Sequence, residues 1–186
     1  MVLVEQPLLW VDLEMTGLDL AKDRIIEFAC LVSSASLEHV HPGPACIVHQ
    51  PNHIMDSMDP WCTAHHRDSG LTAKVLESQT TIEDVQEKVI EFIEQFEYVG
   101  RLVLAGNSVH VDRQFMCLYM PKLIAKLHYR IIDVSTCKEL AMRWNPQALN
   151  AMSQKKETHR ALDDILESIE ELKYYKLHLF KVQQGL

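Results

Sequence analysis

The chain is poor in positive charge. Lys and Arg number 18 against 26 Asp and Glu among 186 residues, a formal charge of −8. That balance argues against a general basic surface for gripping long nucleic acid, and against attraction to anionic membranes. Long apolar runs are also missing. The longest is the six residues Phe115–Met120, too short to span a bilayer. Five cysteines (Cys30, Cys46, Cys62, Cys117, Cys137) are scattered without a CxxC pair, which favours a reduced, intracellular setting over a disulfide framework or zinc site. There is no internal repeat, low-complexity tract or Ser/Gly linker, so one domain over residues 1–186 is expected. The first ten residues, MVLVEQPLLW, carry no basic or amphipathic targeting pattern.

What is present is a mixed α/β pattern. Leu8–Leu13 and Ile25–Val32 are apolar and β-compatible, with Gly17-Leu18-Asp19 as the turn region between them. After the break His41-Pro42-Gly43-Pro44, Ala45–His49 reads as a third strand, giving an antiparallel meander. Thr80-Thr81-Ile82-Glu83 offers a capping-box start to a helix whose apolar positions are Ile82, Val85, Val89, Ile93 and Phe96. Leu102–Ala105 and Ile131–Val134 are the fourth and fifth strands. Helices are predicted over Val109–Tyr119, from Thr136 to no further than Pro146, and over 158–178. Strands in a run followed by alternating strands and helices predict a mixed sheet with helices packed on it.

Candidate chemistry lies in three places. Asp12 and Glu14 are two apart in Trp10-Val11-Asp12-Leu13-Glu14, so on a strand they share one face while Val11 and Leu13 enter the core. Paired carboxylates in an apolar strand repel each other unless a cation sits between them; the alternative is an edge strand with a solvated face. Asp112 follows Gly106-Asn107-Ser108 in the first turn of a helix, a usual ligand position in α/β sheets. The same placement also suits an acid that merely opposes the helix dipole. In the last helix, Asp163 belongs to a charged stripe with Glu167 and Glu170, whereas Asp164 lies with Ala161 and Ser168, so Asp164 is the pocket-facing candidate. His159 stands at or just before the start of that helix, either as a mobile general base with a pKa of about 6.5 or as one more surface histidine. Four carboxylates form an all-oxygen set suited to Mg²⁺ or Mn²⁺, and two such ions about 3.5–4 Å apart are the usual apparatus for cleaving phosphodiesters.

The segments WVDLEMTGLD, AGNSVHVDRQFM and HRALDD resemble the three motifs of the DEDDh exonucleases. Within them the match is to the oligoribonucleases, nearest the eukaryotic small-fragment nuclease branch. DSMDPWCTAHH, HYRIIDVSTCKEL and ALDDILESI extend the resemblance from about Leu8 to Phe180. It implies a ribonuclease-H-like mixed five-stranded sheet flanked by helices, a homodimer, and 3′→5′ hydrolysis of very short single-stranded RNA, dinucleotides above all, to 5′-mononucleotides. It implies Asp12, Glu14, Asp112 and Asp164 as ligands of two Mg²⁺ or Mn²⁺ ions and His159 as general base. Leu18 matches a wedge between the two bases, and Trp61 and His66 match pocket-shaping residues. Tyr129 matches a residue contributed across the dimer. Ser108, Arg130, Ser135 and Thr136 match the group enclosing the substrate's 5′ phosphate. Without the resemblance, Trp61 and Tyr129 read as core aromatics.

An Arg can hold a phosphate bidentately, and Ser135 and Thr136 stand at a helix start whose free amides favour anions. A closed phosphate pocket would exclude a further nucleotide. Val111 and Cys137 depart from the usual pattern, and Gln147–Glu157 match poorly. Rival readings are a DEDDh exonuclease acting on longer RNA or DNA, and a catalytically silent binder of short nucleotides. The expected compartment is cytoplasmic or mitochondrial. Two divalent ions would bring −8 to −4 and leave a local field that favours phosphate, while the acidic remainder disfavours an extended polyanion.

Overall fold

A computed structural model describes residues 1–150 and 161–180. The chain opens with β1 (Val2–Glu5), then β2 (Leu8–Met15), β3 (Ile25–Ser33) and β4 (Val40–Ile47), the last three forming the antiparallel meander that the apolar runs predict. β4 begins earlier than the predicted Ala45 and runs through His41-Pro42-Gly43-Pro44. It lies at the edge of its sheet, where a missing N–H can face outward at little cost.

Three short helices follow: α1 (Asn52–Met55), α2 (Pro60–Asp68) and α3 (Leu71–Glu77). Their buried side chains Met55, Cys62, Leu71 and Val75, with Met58 from the turn between α1 and α2, cluster on Ile26 of β3. Helix α4 (Ile82–Ile93) has a capping box one residue beyond the predicted Thr80–Glu83, formed by Thr81 and Asp84: the Asp84 amide donates to Thr81 Oγ1 at 3.1 Å and the Asp84 carboxylate accepts from the Thr81 amide at 2.8 Å. Val85, Val89 and Ile93 are its buried stripe, while Phe96, expected in the same helix, opens β5 (Phe96–Val99) instead. β5 pairs in parallel with β1 as a separate two-stranded sheet, too short to show in the sequence pattern.

β6 (Val103–Gly106) leads to α5 (His110–Tyr119) and α6 (Pro121–Ile124). Then come β7 (Ile131–Asp133), α7 (Val134–Trp144), α8 (Pro146–Asn150) and α9 (Ala161–His178). Residues 158–160 of the predicted last helix lie outside the described residues.

The main sheet has the order β4-β3-β2-β6-β7. β2 is its middle strand, antiparallel to β3 and parallel to β6, and β6 is parallel to β7. This is the mixed five-stranded sheet expected. One face packs Val11, Leu13, Phe28 and Val32 against α4 and α5 through Val85, Val89, Phe115 and Met116. The other packs Leu8, Trp10, Ala29 and Leu31 against α9 through Ala161, Ile165, Ile169 and Tyr175. Trp10 is fully buried there, its indole N–H donating to Ser33 Oγ at 2.9 Å, so truncation to Ala would cost about 3–5 kcal/mol.

Candidate active site

The parallel strands β2, β6 and β7 all end on the same side of the sheet, and that is where α/β sheets bind ligands. Asp12 and Glu14 stand at the end of β2. Their register partners on β3 are Ala29 and Glu27, and strand alternation sets them on the Trp10 face, toward α9. Asp164, one turn into α9, meets them there: Asp12, Glu14 and Asp164 each bring a carboxylate oxygen within 4.8 Å of the others. Because β2 is the middle strand, the edge-strand alternative for this pair fails. Asp163 is exposed, as the helical stripe predicts, and Asp164 is half-buried.

Asp112 comes from the opposite layer. It is buried in the first turn of α5, and its Oδ1 accepts the Leu13 amide at 3.0 Å. The β2–β6 ladder has ended by then, at the Trp10–Ala105 pair, so Asp112 supplies the acceptor that a longer β6 would have provided. Gly106 makes this turn possible, since a Cβ there would sit 2.7 Å from the Val11 carbonyl oxygen. Burial pushes the Asp112 carboxyl up to about 7, opposed by the hydrogen bond from Leu13. Burial also raises Asp12 well above the usual carboxylate range, helped by the negative charges of Asp112, Glu14, Asp164 and Glu27. Proton affinity of this kind marks a place that favours positive charge.

A second set of contacts clamps α9. Asn107 Nδ2 donates to Glu171 Oε2 at 2.9 Å, the Tyr175 hydroxyl donates to Glu171 Oε1 at 2.8 Å, and Ser168 Oγ donates to the Asp164 carbonyl at 2.8 Å. Sequence reasoning missed Glu171, which is buried three residues after Ser168 on the same stripe as Asp164; that position was the available signal.

The turn after β2 carries Leu18, 72% exposed. It is locked from beneath by buried Asp23, which accepts from Thr16 Oγ1 at 3.0 Å and from the Asp19 amide at 2.8 Å. Gly17 leaves the space, since a Cβ there would lie 2.5 Å from Asp23 Oδ2. Trp61, 68% exposed, rises from the first turn of α2, whose Asp59 cap accepts the Trp61 and Cys62 amides at 2.7 and 3.0 Å. Its ring stacks on His65 at 4.7 Å. His66 is 2% exposed and its Nε2 lies 2.9 Å from the Met15 carbonyl oxygen, tying α2 to the end of β2. Burial lowers the His66 pKa, against the effect of that hydrogen bond. Tyr129 is also 68% exposed, so the core reading of both aromatics is corrected.

The predicted phosphate group divides along β7. Ser108, Ser135 and Thr136 lie at the acid end of the sheet, while Arg130 and Tyr129 precede β7, roughly 10 Å of strand away, with the Arg130 guanidinium 5.6 Å from the Tyr129 ring centre. Asp133 organises the near end. Its Oδ1 accepts from the Ser108 amide at 2.9 Å, the Ser135 amide at 3.0 Å and Ser135 Oγ at 2.6 Å, and its Oδ2 lies 3.1 Å from His110 Nδ1. Burial works to raise the Asp133 pKa, yet these hydrogen bonds prevail and hold it below the usual range. The Ser135 amide, expected to be free for an anion, is therefore engaged. α7 begins at Val134, two residues before the predicted Thr136, because Asp133 caps it. Thr136 is exposed just beyond. His159 lies outside the described residues.

Against known proteins, the Exonuclease (RNase_T) family model matches residues 9–172. The human mitochondrial oligoribonuclease is 49% identical over 176 residues, 95% of this chain and 74% of that protein. Oligoribonuclease of Aliivibrio fischeri is 47% identical over 182 residues, covering 98% of this chain and 100% of its own length. The chain belongs to the oligoribonuclease family. Oligoribonucleases are 3′→5′ exonucleases, so the protein is an enzyme, a nuclease of the hydrolase class. Among solved structures, E. coli exonuclease I in complex with a 5cy-dT13 oligonucleotide superposes with a TM-score of 0.66 at 15% identity, covering 94% of this chain. This chain spans 41% of that protein's length, and the likeness shows the ribonuclease-H-like fold that the oligoribonuclease resemblance predicted. Among the described residues, no helix is long and apolar enough to cross a membrane.

Proposed function

We propose that the chain is a 3′→5′ exoribonuclease that hydrolyses very short oligoribonucleotides, dinucleotides above all, to 5′-mononucleotides, and that residues 1–186 form one exonuclease domain. The observation that carries this reading is the meeting of Asp12, Glu14 and Asp164 within 4.8 Å, with Asp112 beside them on the Leu13 amide. These four acids would hold two Mg²⁺ or Mn²⁺ ions. An all-oxygen donor set fits hard divalent ions, and the raised proton affinity of Asp12 and Asp112 fits a site that gathers positive charge. When bound, such ions activate water and stabilise the charge that develops on the attacking and leaving oxygens.

The chain's own residues then account for orientation. Leu18 on its locked turn and Trp61 at the head of α2 are exposed apolar surfaces beside the acids, fit to bracket a base without reading its identity. His66, whose Nε2 donates to the Met15 carbonyl, would shape the pocket beside them. Ser108 and Thr136 flank the Asp133 cap and would contact a terminal phosphate, with Ser135 positioned by the same carboxylate. His159, five residues before Asp164, is assigned to take the proton of the attacking water.

Arg130 and Tyr129, displaced along β7, fit the reading that Tyr129 serves the site of a second copy in a homodimer. Exposed Leu140, Trp144, Leu162 and Leu166 on α7 and α9 supply apolar surface for such a contact. The relative's mitochondrial name supports a cytoplasmic or mitochondrial compartment for this chain.

Incubation of a 5′-labelled diribonucleotide with protein and Mg²⁺ should release labelled monophosphate, and Asp112→Ala should abolish release. Equal release from Asp112→Ala overturns the assignment. A length series from two to about twenty nucleotides should show rates falling steeply with length; flat rates would instead favour an exonuclease for longer RNA or DNA. Binding without turnover would favour the silent binder.

A further inference from the structure

We propose that Glu14, His65 and His66 form a transition-metal site, suited to Zn²⁺, that overlaps the active site, and that zinc held there inhibits the enzyme. One ligand atom from each of the three lies within 4.8 Å of the others. The donor set is two imidazoles and one carboxylate, the set found in zinc sites that keep a fourth position open. Imidazole favours zinc, copper and nickel, whereas Mg²⁺ and Mn²⁺ prefer the oxygens of Asp12, Glu14 and Asp164.

The independent observation is the state of His66. Its ring is buried, and Nε2 faces the Met15 carbonyl at 2.9 Å, so Nε2 carries the proton and donates it. The lone pair is then on Nδ1. That atom is buried and, among the described residues, receives no hydrogen bond. An imidazole with its N–H tied to a backbone carbonyl and its other nitrogen left as a buried lone pair has the orientation of a metal ligand. Without a cation this arrangement carries the cost of an unsatisfied buried acceptor.

In a tetrahedral site with bonds of about 2.1 Å, ligand atoms stand about 3.4 Å apart. His66 is fixed, so half-buried Glu14 and His65 would close any remaining gap, at most about 1.4 Å. Glu14 is the shared residue. A metal on its imidazole side would draw its carboxylate away from Asp12 and Asp164. His65 is also the stacking partner of Trp61, so the same closure would shift the exposed ring.

The inhibition, unlike the metal binding, rests on the reading of Glu14 as an active-site acid. Zinc binding to the full chain is measured by equilibrium dialysis in millimolar Mg²⁺, with Co²⁺ absorption reporting the ligand geometry. His65→Phe keeps a ring against Trp61 and removes the ligand; His65→Gln is the second variant, and the melting temperatures of both check folding. The wild type should bind zinc with Mg²⁺ present and show intense tetrahedral Co²⁺ bands. Its hydrolysis of a diribonucleotide should be inhibited by zinc, with a chelator and not excess Mg²⁺ restoring it. Both folded variants should lose zinc affinity by about tenfold or more and resist inhibition to the same degree. Zinc affinity and Co²⁺ spectra unchanged in both variants would overturn the site. Zinc binding as described in a chain that hydrolyses nothing in Mg²⁺ would instead uphold the site and remove the exonuclease reading.

Discussion

Asp23 holds no role in the chemistry, yet its removal should be felt in substrate binding. Its carboxylate accepts the Thr16 hydroxyl and the Asp19 amide, and it is buried beneath the turn that carries Leu18. Asp23→Ala leaves the Asp19 amide and the Thr16 hydroxyl without their acceptor. Each hydrogen bond to a charged acceptor contributes about 1.5–3 kcal/mol, and water can reach part of the opened space, so the loss is about 2–4 kcal/mol. At roughly 2–4 °C per kcal/mol for a chain of this size, the melting temperature should fall by about 5–15 °C. Asp23→Asn keeps the shape and one acceptor. Its amide group would then face Thr16 Oγ1, which already accepts the Arg24 amide at 3.0 Å, so a loss of about 1–2 kcal/mol is expected. Gly17→Ala should act through the same contact, because its Cβ displaces the Asp23 carboxylate. The double variant should therefore be less destabilised than the two single effects added together. Calorimetric melting measures the stability, and diribonucleotide kinetics measure the function. With Leu18 on a loosened turn, KM should rise more than kcat falls. An Asp23→Ala protein that melts within about 1 °C of the wild type would refute the reasoning.

Other expectations follow from the site. Asp112 has an ordinary pKa near 3.8 and is pushed up to about 7 by burial, so its neutral form is favoured in the native state. Its contribution to stability is full below about pH 4 and lost as pH rises through 7, at most about 4 kcal/mol; melts of chelator-treated protein from pH 5 to 8 should show it. Asp112→Asn should flatten that dependence, and Mg²⁺ or Mn²⁺ should raise the wild-type melting temperature most at the alkaline end. Trp61→Ala and Leu18→Ala should each weaken dinucleotide binding by about 1–3 kcal/mol with a smaller effect on kcat, read from KM. If Tyr129 serves the partner's site, Tyr129→Ala and Asp112→Ala proteins, each impaired alone, should recover about a quarter of wild-type activity when mixed equally and allowed to exchange subunits. No recovery in exchanged dimers would count against it.

The residues of the candidate site were largely legible, because they obey local periodicities. Asp12 and Glu14 sit on one face since strands alternate, and Asp164 is distinguished from Asp163 by its helical stripe. Other features depend on partners distant in sequence. The Asp112 contact with the Leu13 amide spans 99 residues and exists because β6 ends early. β4 hides its start behind prolines that only an edge strand tolerates. The Asp59-Pro60 pair is a readable start signal for α2, whereas α1 and α3 are too short for periodicity to declare them. Asp133 as the cap of α7 was available in the sequence too. That its carboxylate would also take the Ser108 amide was not, because Ser108 adopts a left-handed φ of 50° set by the turn after β6.

The position of β2 between an antiparallel and a parallel half of the sheet also bears on the order of assembly. Its pairing with β3 closes a short loop, whereas its first parallel partner, Val103 opposite Leu8, lies 95 residues away. Closing the longer loop costs about 2 kcal/mol more in chain entropy. Asp12, Glu14 and Glu27 are thus gathered early by the hairpin, while Asp112 and Asp164 reach them only as α5 and α9 dock. On that order the crowding of negative charge is completed only when α5 and α9 dock. A divalent cation recognising the finished cluster would then act chiefly on the rate of unfolding, lengthening the life of the native state without hastening its formation.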